Sequence, residues 1–261
     1  MTICTLASSS SGNCTVVSHG NTHFLIDAGI SLRRIKDGLR RVGLTPNDLA
    51  GVLVTHEHSD HVNGIKMLVK YHKTLVFSSI GTCNGICSAI PEAEPYVNRL
   101  EIGAAFELGE ITVRSFCTPH DSSESVGYRL TAGGKTLAYV TDLGYVTEEV
   151  MDATYGADIA IIESNHDRDM LKTGPYPHFL KRRISSKHGH LSNCDSASFA
   201  ARLASSGTRI LQLSHLSREN NTPGLARKTV ENSLIADGFA IGRDIELDVA
   251  PPFTPSRMYV L

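Results

Sequence analysis

The 261-residue chain has 41% hydrophobic residues and a formal net charge of −2. This hydrophobic content supports a folded core and argues against intrinsic disorder. The near-neutral charge excludes a molecule-wide cationic field, so any contact with nucleic acid has to use a local basic patch. The sequence has no apolar run long enough to span a membrane and no signal-peptide pattern at its N-terminus. We therefore expect a cytoplasmic protein without a membrane partner.

The predicted elements begin with three short strands, ICTLA, CTVVS and HFLIDAG, and a helix over about Leu32–Val42. A strand (GVLVT), a helix from about His61 to His72 and a strand (TLVFSS) follow. The second half opens with the strands ITVRSFCT, SVGYRL, KTLAYVTD and DIAIIES. Helices at about Ser192–Ser205 and Pro223–Asp237 flank a last strand, RILQLS.

This order of elements predicts an α/β fold in which two sheets pack face to face with helices outside, a layered α/β sandwich. No linker or internal repeat divides the chain, so we expect residues 1–261 to form a single domain. The six cysteines are scattered and form no CxxC pair, which predicts free and mostly buried thiols.

The stretch VTHEHSDHVNG (54–64) places ligand-type side chains where a predicted strand gives way to a helix. His56 and His58 are two residues apart and point the same way on extended backbone. Asp60 and His61 follow where the helix should begin. Imidazoles and a carboxylate that converge in this way suit divalent first-row metals. The HxHxDH pattern therefore predicts a metal site, with enough ligands for parts of two neighbouring sites.

Three further ligand-type residues follow predicted strands elsewhere in the chain. His120 follows ITVRSFC, Asp142 ends LAYVTD, and His215 follows ILQLS. Strands of one sheet carry such residues to one rim, where loops build sites. We expect these three side chains to complete the metal site.

The chain resembles the metallo-β-lactamase superfamily through THEHSDH, FLIDAG (24–29) and the order of the later ligand residues. The resemblance covers nearly the whole chain and implies a four-layer αββα sandwich with two divalent ions, Zn²⁺ or Mn²⁺. It implies that one ion is held by His56, His58 and His120. It implies that the second is held by Asp60, His61 and His215, with Asp142 bridging both. It also implies that Asp27 is buried and orients the histidine loop.

A narrower resemblance, to the YycJ (WalJ)-like branch, rests on SSSSGN, ESNHD (163–167), GHLSN (189–193) and LSHLSRENN (213–221). This branch consists of cytoplasmic bacterial hydrolases, and the resemblance implies 5′ to 3′ exonuclease activity on DNA. Only 73 residues separate Asp142 from His215, which leaves no room for the large inserted domain of the RNA-processing and DNA-repair nucleases of the superfamily.

Two-metal chemistry serves phosphodiesters, thioesters and lactams alike, so the ligands alone do not identify the substrate. Asp60 is also a candidate to take a proton from the nucleophile. A local basic run, Lys181, Arg182 and Arg183 with Lys187 close by, favours a polyanion, although such a run also suits a solvated helix face. His190 and His166 are spare histidines that could protonate a leaving oxygen or bind phosphate, or be structural.

Some interpretations remain open from the sequence. SSSSGN has no GK[ST] after it and is not a P-loop; its hydroxyl and N–H groups suit phosphate binding, support of the site, or a flexible turn. The favoured function is a metal-dependent nuclease acting on DNA. The alternatives are a small-molecule phosphodiesterase or thioesterase and, less favoured, a non-enzymatic metal-binding regulatory module. The sequence leaves the oligomeric state open.

Overall fold

Fourteen strands form two seven-stranded sheets in the computed structural model, which describes all 261 residues. The strands of the first sheet are β1 (Thr2–Ala7), β2 (Cys14–His19), β3 (Thr22–Ile26), β4 (Gly51–Leu53), β5 (Val76–Ser79), β6 (Val97–Leu100) and β14 (Tyr259–Val260). The strands of the second are β7 (Ala105–Leu108), β8 (Ile111–Cys117), β9 (Val126–Ala132), β10 (Lys135–Val140), β11 (Ile159–Glu163), β12 (Ile210–Ser214) and β13 (Glu246–Val249). The sheet orders are β14-β1-β2-β3-β4-β5-β6 and β13-β12-β11-β10-β9-β8-β7.

Helices cover the outer face of each sheet. The helices are α1 (Leu32–Arg41), α2 (Ser59–Val62), α3 (Ile65–His72), α4 (Ile80–Ala89), α5 (Glu148–Thr154), α6 (Arg168–Thr173), α7 (His178–Ile184), α8 (Asn193–Ser205) and α9 (Pro223–Ala236). Two short 3₁₀ turns span Pro46–Asp48 and Pro91–Tyr96. Helices α1, α3 and α4 share a buried core with the first sheet, whereas α5, α8 and α9 share one with the second. No helix combines the length and the apolar character that crossing a bilayer requires.

The side chains of β11 show how the layers arise. Ile159 and Ile161 lie in the core between the two sheets, whereas Ala160 and Ile162 lie in the core beneath the helices of the second sheet. Successive strand residues point to opposite faces, so a continuous apolar run is buried on both sides. The predicted four-layer αββα sandwich is thus confirmed.

The predicted helix over His61–His72 is interrupted. The chain forms α2 and then α3, with Asn63 and Gly64 between them. The N–H of Gly64 donates to the carbonyl of Ala28 at 2.7 Å, and a Cβ at Gly64 would lie 2.6 Å from the carbonyl oxygen of Ile30. Contact with the loop after β3 therefore breaks the helix, an effect that local periodicity does not reveal.

Other differences from the sequence prediction are smaller. The sequence pattern did not indicate α4 to α7 or strands β6, β7, β13 and β14, which are mostly short or carry weak periodicity. All six cysteines are free thiols, but only Cys4, Cys14 and Cys83 are buried, so the expectation of mostly buried thiols holds for half of them.

Candidate metal centre

Loops that leave neighbouring parallel strands bring the candidate ligands together. In the first sheet, β3 leads into Asp27 and the parallel strand β4 leads into the segment that begins at His56. In the second sheet, strands β10, β11 and β12 are parallel. Asp142 follows β10, Glu163 is the last residue of β11, and His215 follows β12. The carboxyl ends of parallel strands lie at one edge of a sheet, the usual location of sites in α/β folds.

Three of these residues turn the chain sharply where a strand has just ended. Asp27, Asp142 and His215 have φ angles of 59°, 58° and 55°. This left-handed region is sparsely populated by residues other than glycine, and such strain concentrates at functional sites, where surrounding contacts hold it in place. The N–H of His215, for example, donates to the hydroxyl of Ser8 at 2.8 Å.

The seven predicted ligands lie in one cluster. Ligand-type atoms of His56, His58 and His120 lie within 4.8 Å of one another, and the same holds for Asp60, His61 and His215. Asp142 forms such a group with His56 and His61, one member of each triad. The Asp142 carboxylate is thus placed next to both triads, as a bridging ligand would be.

Several atoms at the centre of this cluster have no partner within the protein. His56 Nε2, His120 Nε2 and Asp142 Oδ2 are buried and form no hydrogen bond. An unpaired buried polar atom costs free energy, so such atoms are rare unless water, an ion or a ligand satisfies them. Two imidazole nitrogens and a carboxylate oxygen are donors that suit divalent metals. The cluster therefore fits a metal cation.

The electrostatics of the cluster support the same conclusion. Burial, assisted by the neighbouring histidines, lowers the pKa of His56 well below its usual range, which favours the neutral, metal-binding imidazole. Burial also opposes charge on His61, but Asp27, Asp142 and Asp60 outweigh it and raise the pKa of His61 well above its usual range. The carboxylates thus favour positive charge at this place.

Hydrogen bonds on the far side of the imidazoles orient the rings. Asp27 is buried, and its Oδ2 lies 2.8 Å from His61 Nδ1, while the N–H of Thr55 donates to its Oδ1 at 2.8 Å. His120 Nδ1 lies 3.1 Å from the carbonyl oxygen of Gly189. Such contacts determine the tautomer and leave Nε2 as the ligating atom. The buried Asp27 carboxylate thus contacts the His61 ring on the side away from Nε2.

Glu163 is a functional candidate that the sequence reasoning missed. Its Oε1 lies 2.8 Å from both His190 Nδ1 and His215 Nδ1, and its Oε2 accepts from the N–H groups of Leu143 and Leu191. Burial would raise the pKa of Glu163, but His190 and His215 lower it below its usual range. An acidic residue that ends the otherwise apolar run DIAIIE was the available signal, because a charge is not buried at such a place without partners.

The SSSSGN segment contacts the loop that carries the candidate ligands. Asn13 is buried; its N–H donates to the carbonyl of Asp60 at 2.9 Å, and its Nδ2 lies 3.1 Å from His61 Nε2. Ser8 and Ser9 are also buried, whereas Ser10 lines the pocket over the cluster. Of the interpretations left open by the sequence, support of the site agrees best with these contacts.

A cavity of about 360 Å³ opens over the cluster, and we call it the metal pocket. Its walls include Asp60, Asp142, His190 and His215, together with Arg183 from α7. Arg183 Nη2 donates to Asp121 Oδ1 at 3.0 Å, so this guanidinium is paired at the rim. His190 lies close to the centre, with Nδ1 3.5 Å from Asp142 Oδ1.

The structure divides the basic run Lys181–Arg183 between two cavities, so it is not the single patch predicted from the sequence. Only Arg183 lines the metal pocket, whereas Lys181 and Arg182 line a second cavity of about 490 Å³. We call this cavity the basic pocket; its walls include His166, Arg168, Lys172, Lys181, Arg182 and Asp195. Lys187 lines neither pocket. The division arises because α7 stands between the two cavities and presents a different face to each.

Residues 22–216 match the family described as the beta-lactamase superfamily domain. The chain is 35% identical to "Exodeoxyribonuclease YycJ" of Bacillus anthracis over 256 residues, 97% of this chain and 96% of the relative. It is 34% identical to "Exodeoxyribonuclease WalJ" of Streptococcus pneumoniae over 262 residues, 95% of this chain and 96% of the relative.

The metallo-beta-lactamase fold protein YhfI of Bacillus subtilis has a similar structure, with a TM-score of 0.73 at 16% identity. The alignment covers 98% of this chain and 100% of YhfI. At this identity the likeness concerns the fold, whereas the sequence matches concern the family. The chain belongs to the metallo-β-lactamase superfamily and, within it, to the group that contains the YycJ and WalJ proteins.

Proposed function

We propose that this chain is a metal-dependent exodeoxyribonuclease that hydrolyses phosphodiester bonds of DNA with two divalent cations, Zn²⁺ or Mn²⁺. The observation that carries the proposal is the convergence of two ligand triads on the carboxylate of Asp142. The names of the two relatives support DNA as the substrate, since 34–35% identity extends over nearly the whole chain. The resemblance to that group also favours attack from the 5′ end.

The proposed ligands are His56, His58 and His120 for one cation and Asp60, His61 and His215 for the other, with Asp142 shared. When bound, such cations stabilise charge on phosphoryl oxygens and activate water for attack. The protein contributes the orientation of the imidazoles. Asp27 holds the His61 ring, and Glu163 holds the His215 ring through Nδ1.

Two side chains, the proposed ligand Asp60 and the non-ligand His190, are proposed to move protons. Asp60 faces the metal pocket and is positioned to accept a proton from the attacking nucleophile. His190 also lines this pocket, and its Nδ1 is held by Glu163. Nε2 is therefore the ring nitrogen available to protonate the leaving oxygen or to contact a phosphoryl oxygen. His190 is positioned for this role by the same carboxylate that orients His215.

The charge distribution favours a polymer over a small substrate. Arg183 of the metal pocket is paired with Asp121, but the adjoining basic pocket has Lys181 and Arg182 in its wall, and neither forms an ion pair. A small cyclic phosphodiester or a thioester would occupy the metal pocket alone and would have no use for cations beyond it. A strand carries further phosphates, and cations hold these irrespective of base sequence.

The proposal is tested by incubating the metal-loaded protein with end-labelled linear DNA, linear RNA, circular single-stranded DNA and a chromogenic phosphodiester. We expect linear DNA to be degraded fastest, with mononucleotides or short fragments released from one end, and circular DNA to resist. Asp142→Ala should abolish the activity. Faster hydrolysis of RNA or of the chromogenic ester, or rapid cleavage of circles, would contradict the proposal.

A further inference from the structure

The basic pocket lies beside the metal pocket, and the two share the side chain of His190. Helix α7 separates them. Leu180, Arg183 and Ile184 face the metal pocket. His178, Lys181, Arg182 and Ser185 face the basic pocket. Each set has the i, i+3, i+4 spacing of one helix face, so one helix forms a wall of both cavities.

The basic pocket carries an excess of positive charge that the protein leaves unpaired. Arg168 pairs with Asp195 at 2.8 Å and so neutralises the one carboxylate in the wall. Lys172, Lys181 and Arg182 form no ion pair. Lys181 Nζ donates only to the carbonyl oxygen of Lys172, at 2.8 Å. Cations that converge on a cavity without counter-charges attract an anion.

A buried histidine in the wall of the basic pocket also supports the binding of an anion. His166 is only 3% exposed, lines the pocket, and its Nδ1 is buried without a hydrogen-bond partner. Burial lowers the pKa of His166 to about 4, so the ring is a neutral donor and acceptor. Beside it lies Ser192, the N-cap of the 13-residue helix α8. The N–H groups of Asn193 and Asp195 in its first turn are bonded within the protein, to the carbonyl of His166 at 2.8 Å and to the hydroxyl of Ser192 at 3.2 Å, so side chains rather than the helix end would hold the anion.

We propose that the basic pocket binds the terminal phosphate monoester of the DNA strand while the adjoining phosphodiester lies at the metal centre. The inference rests on the proposed function and adds a recognition site for the strand end. A monoester carries between one and two negative charges and three acceptor oxygens, more than an internal phosphodiester. Three unpaired cations and an imidazole without a hydrogen-bond partner match this more highly charged group better than they match a singly charged phosphodiester.

The test measures binding, so that it does not depend on turnover. Metal-loaded protein is titrated with fluorescent oligonucleotides of one sequence that carry a 5′-phosphate, a 3′-phosphate or hydroxyls at both ends, with hydrolysis-resistant phosphorothioate linkages. We expect one phosphorylated end to bind roughly 10- to 100-fold more tightly than the hydroxyl ends, as charge-assisted hydrogen bonds imply. The arm that shows this preference identifies which end the pocket holds.

The double variant Lys181→Ala/Arg182→Ala should bring this preference close to unity. Its matched control, Arg33→Ala/Lys36→Ala on α1, removes two charges outside both pockets and should keep it. Equal affinity for all three ends, or a preference that survives in the double variant, would overturn the inference. DNA that binds with the end preference but is never cleaved would refute the proposed function and leave the phosphate site standing. DNA that is cleaved but binds without any end preference would refute the phosphate site and leave the proposed function standing.

Discussion

Asp142 is the residue on which the metal centre depends most. Its carboxylate lies against both ligand triads, and its Oδ2 is buried and forms no hydrogen bond. We expect Asp142→Ala to reduce the metal content at both positions, because one carboxylate serves two cations. Elemental analysis of purified protein measures this directly. Asp152→Ala, an exposed change on α5, serves as control; a full metal complement in Asp142→Ala would refute the bridging role.

A substitution of His190 is expected to affect catalysis but not metal binding. It lines the metal pocket but is held by Glu163 and stands outside the proposed ligand set. His190→Ala should therefore lower turnover by roughly 10²–10⁴-fold, the usual contribution of a general acid or base. Its metal content should stay at the wild-type level. His188→Ala removes an exposed histidine two residues away and should act like wild type; a wild-type rate in His190→Ala would make that residue structural.

The proposed role of Glu163, to orient His190 and His215, follows from its hydrogen bonds. Glu163→Gln keeps the shape but replaces one acceptor oxygen with a donor NH₂ group. That group would face a histidine Nδ1 or the N–H groups of Leu143 and Leu191. We expect metal affinity to fall by roughly 10- to 100-fold, the usual effect of losing a residue that orients a ligand. Titration with a competing chelator measures this, and unchanged affinity would show that the carboxylate does not orient His215.

At the scale of elements, the loop after β3 is pressed against the loop that carries the histidines. A Cβ at Gly29 would lie 1.6 Å from the carbonyl oxygen of Asp60. This oxygen belongs to the backbone and cannot move aside as a flexible side chain could. Gly29→Ala should therefore displace the loop that carries His56, His58 and Asp60 and destabilise the protein by roughly 1–3 kcal/mol, as overpacking does. Denaturant unfolding measures the change.

Gly224 offers a matched control for this substitution. It lies in the first turn of α9, and a Cβ there would meet nothing within 4 Å. Gly224→Ala should leave metal binding intact and raise the free energy of unfolding by about 0.4–1 kcal/mol, since alanine restricts the unfolded chain. If Gly29→Ala were as stable as Gly224→Ala, the two loops would be less tightly packed than described.

For the whole molecule, the metal centre joins the two sheets. His56 and His61 follow β4 of the first sheet, whereas Asp142 and His215 follow β10 and β12 of the second. Removal of metal with a chelator should lower Tm by about 5–10 °C. This range applies to each cation: one site contributes about 2.7 kcal/mol at a hundredfold excess over Kd, and Tm shifts by about 2–4 °C per kcal/mol in a domain of 150–250 residues.

Differential scanning calorimetry with and without chelator tests this expectation. Asp142→Ala should show little dependence on the chelator, because its cations are already weakly held. Identical transitions of the wild-type protein in both conditions would mean that the centre contributes nothing to stability.

The layers and the approximate location of the metal centre could be predicted from the amino-acid sequence. Continuous apolar runs such as β11 bury both faces, and ligand-type residues at the ends of neighbouring strands meet at one rim. These are local patterns, readable within a few residues of His56, Asp142 or His215. They could be predicted because strand geometry alone dictates where successive side chains and strand ends lie.

The distant groups that support that centre could not be predicted in this way, because the folded chain brings them together. Glu163 contacts His190 and His215, which are 27 and 52 residues away along the chain, and Asn13 contacts His61 from 48 residues away. The division of Lys181 and Arg182 from Arg183 depends on how α7 packs between two cavities. Contacts of this kind arise from packing between elements, and packing depends on the whole fold rather than on any local pattern of residues.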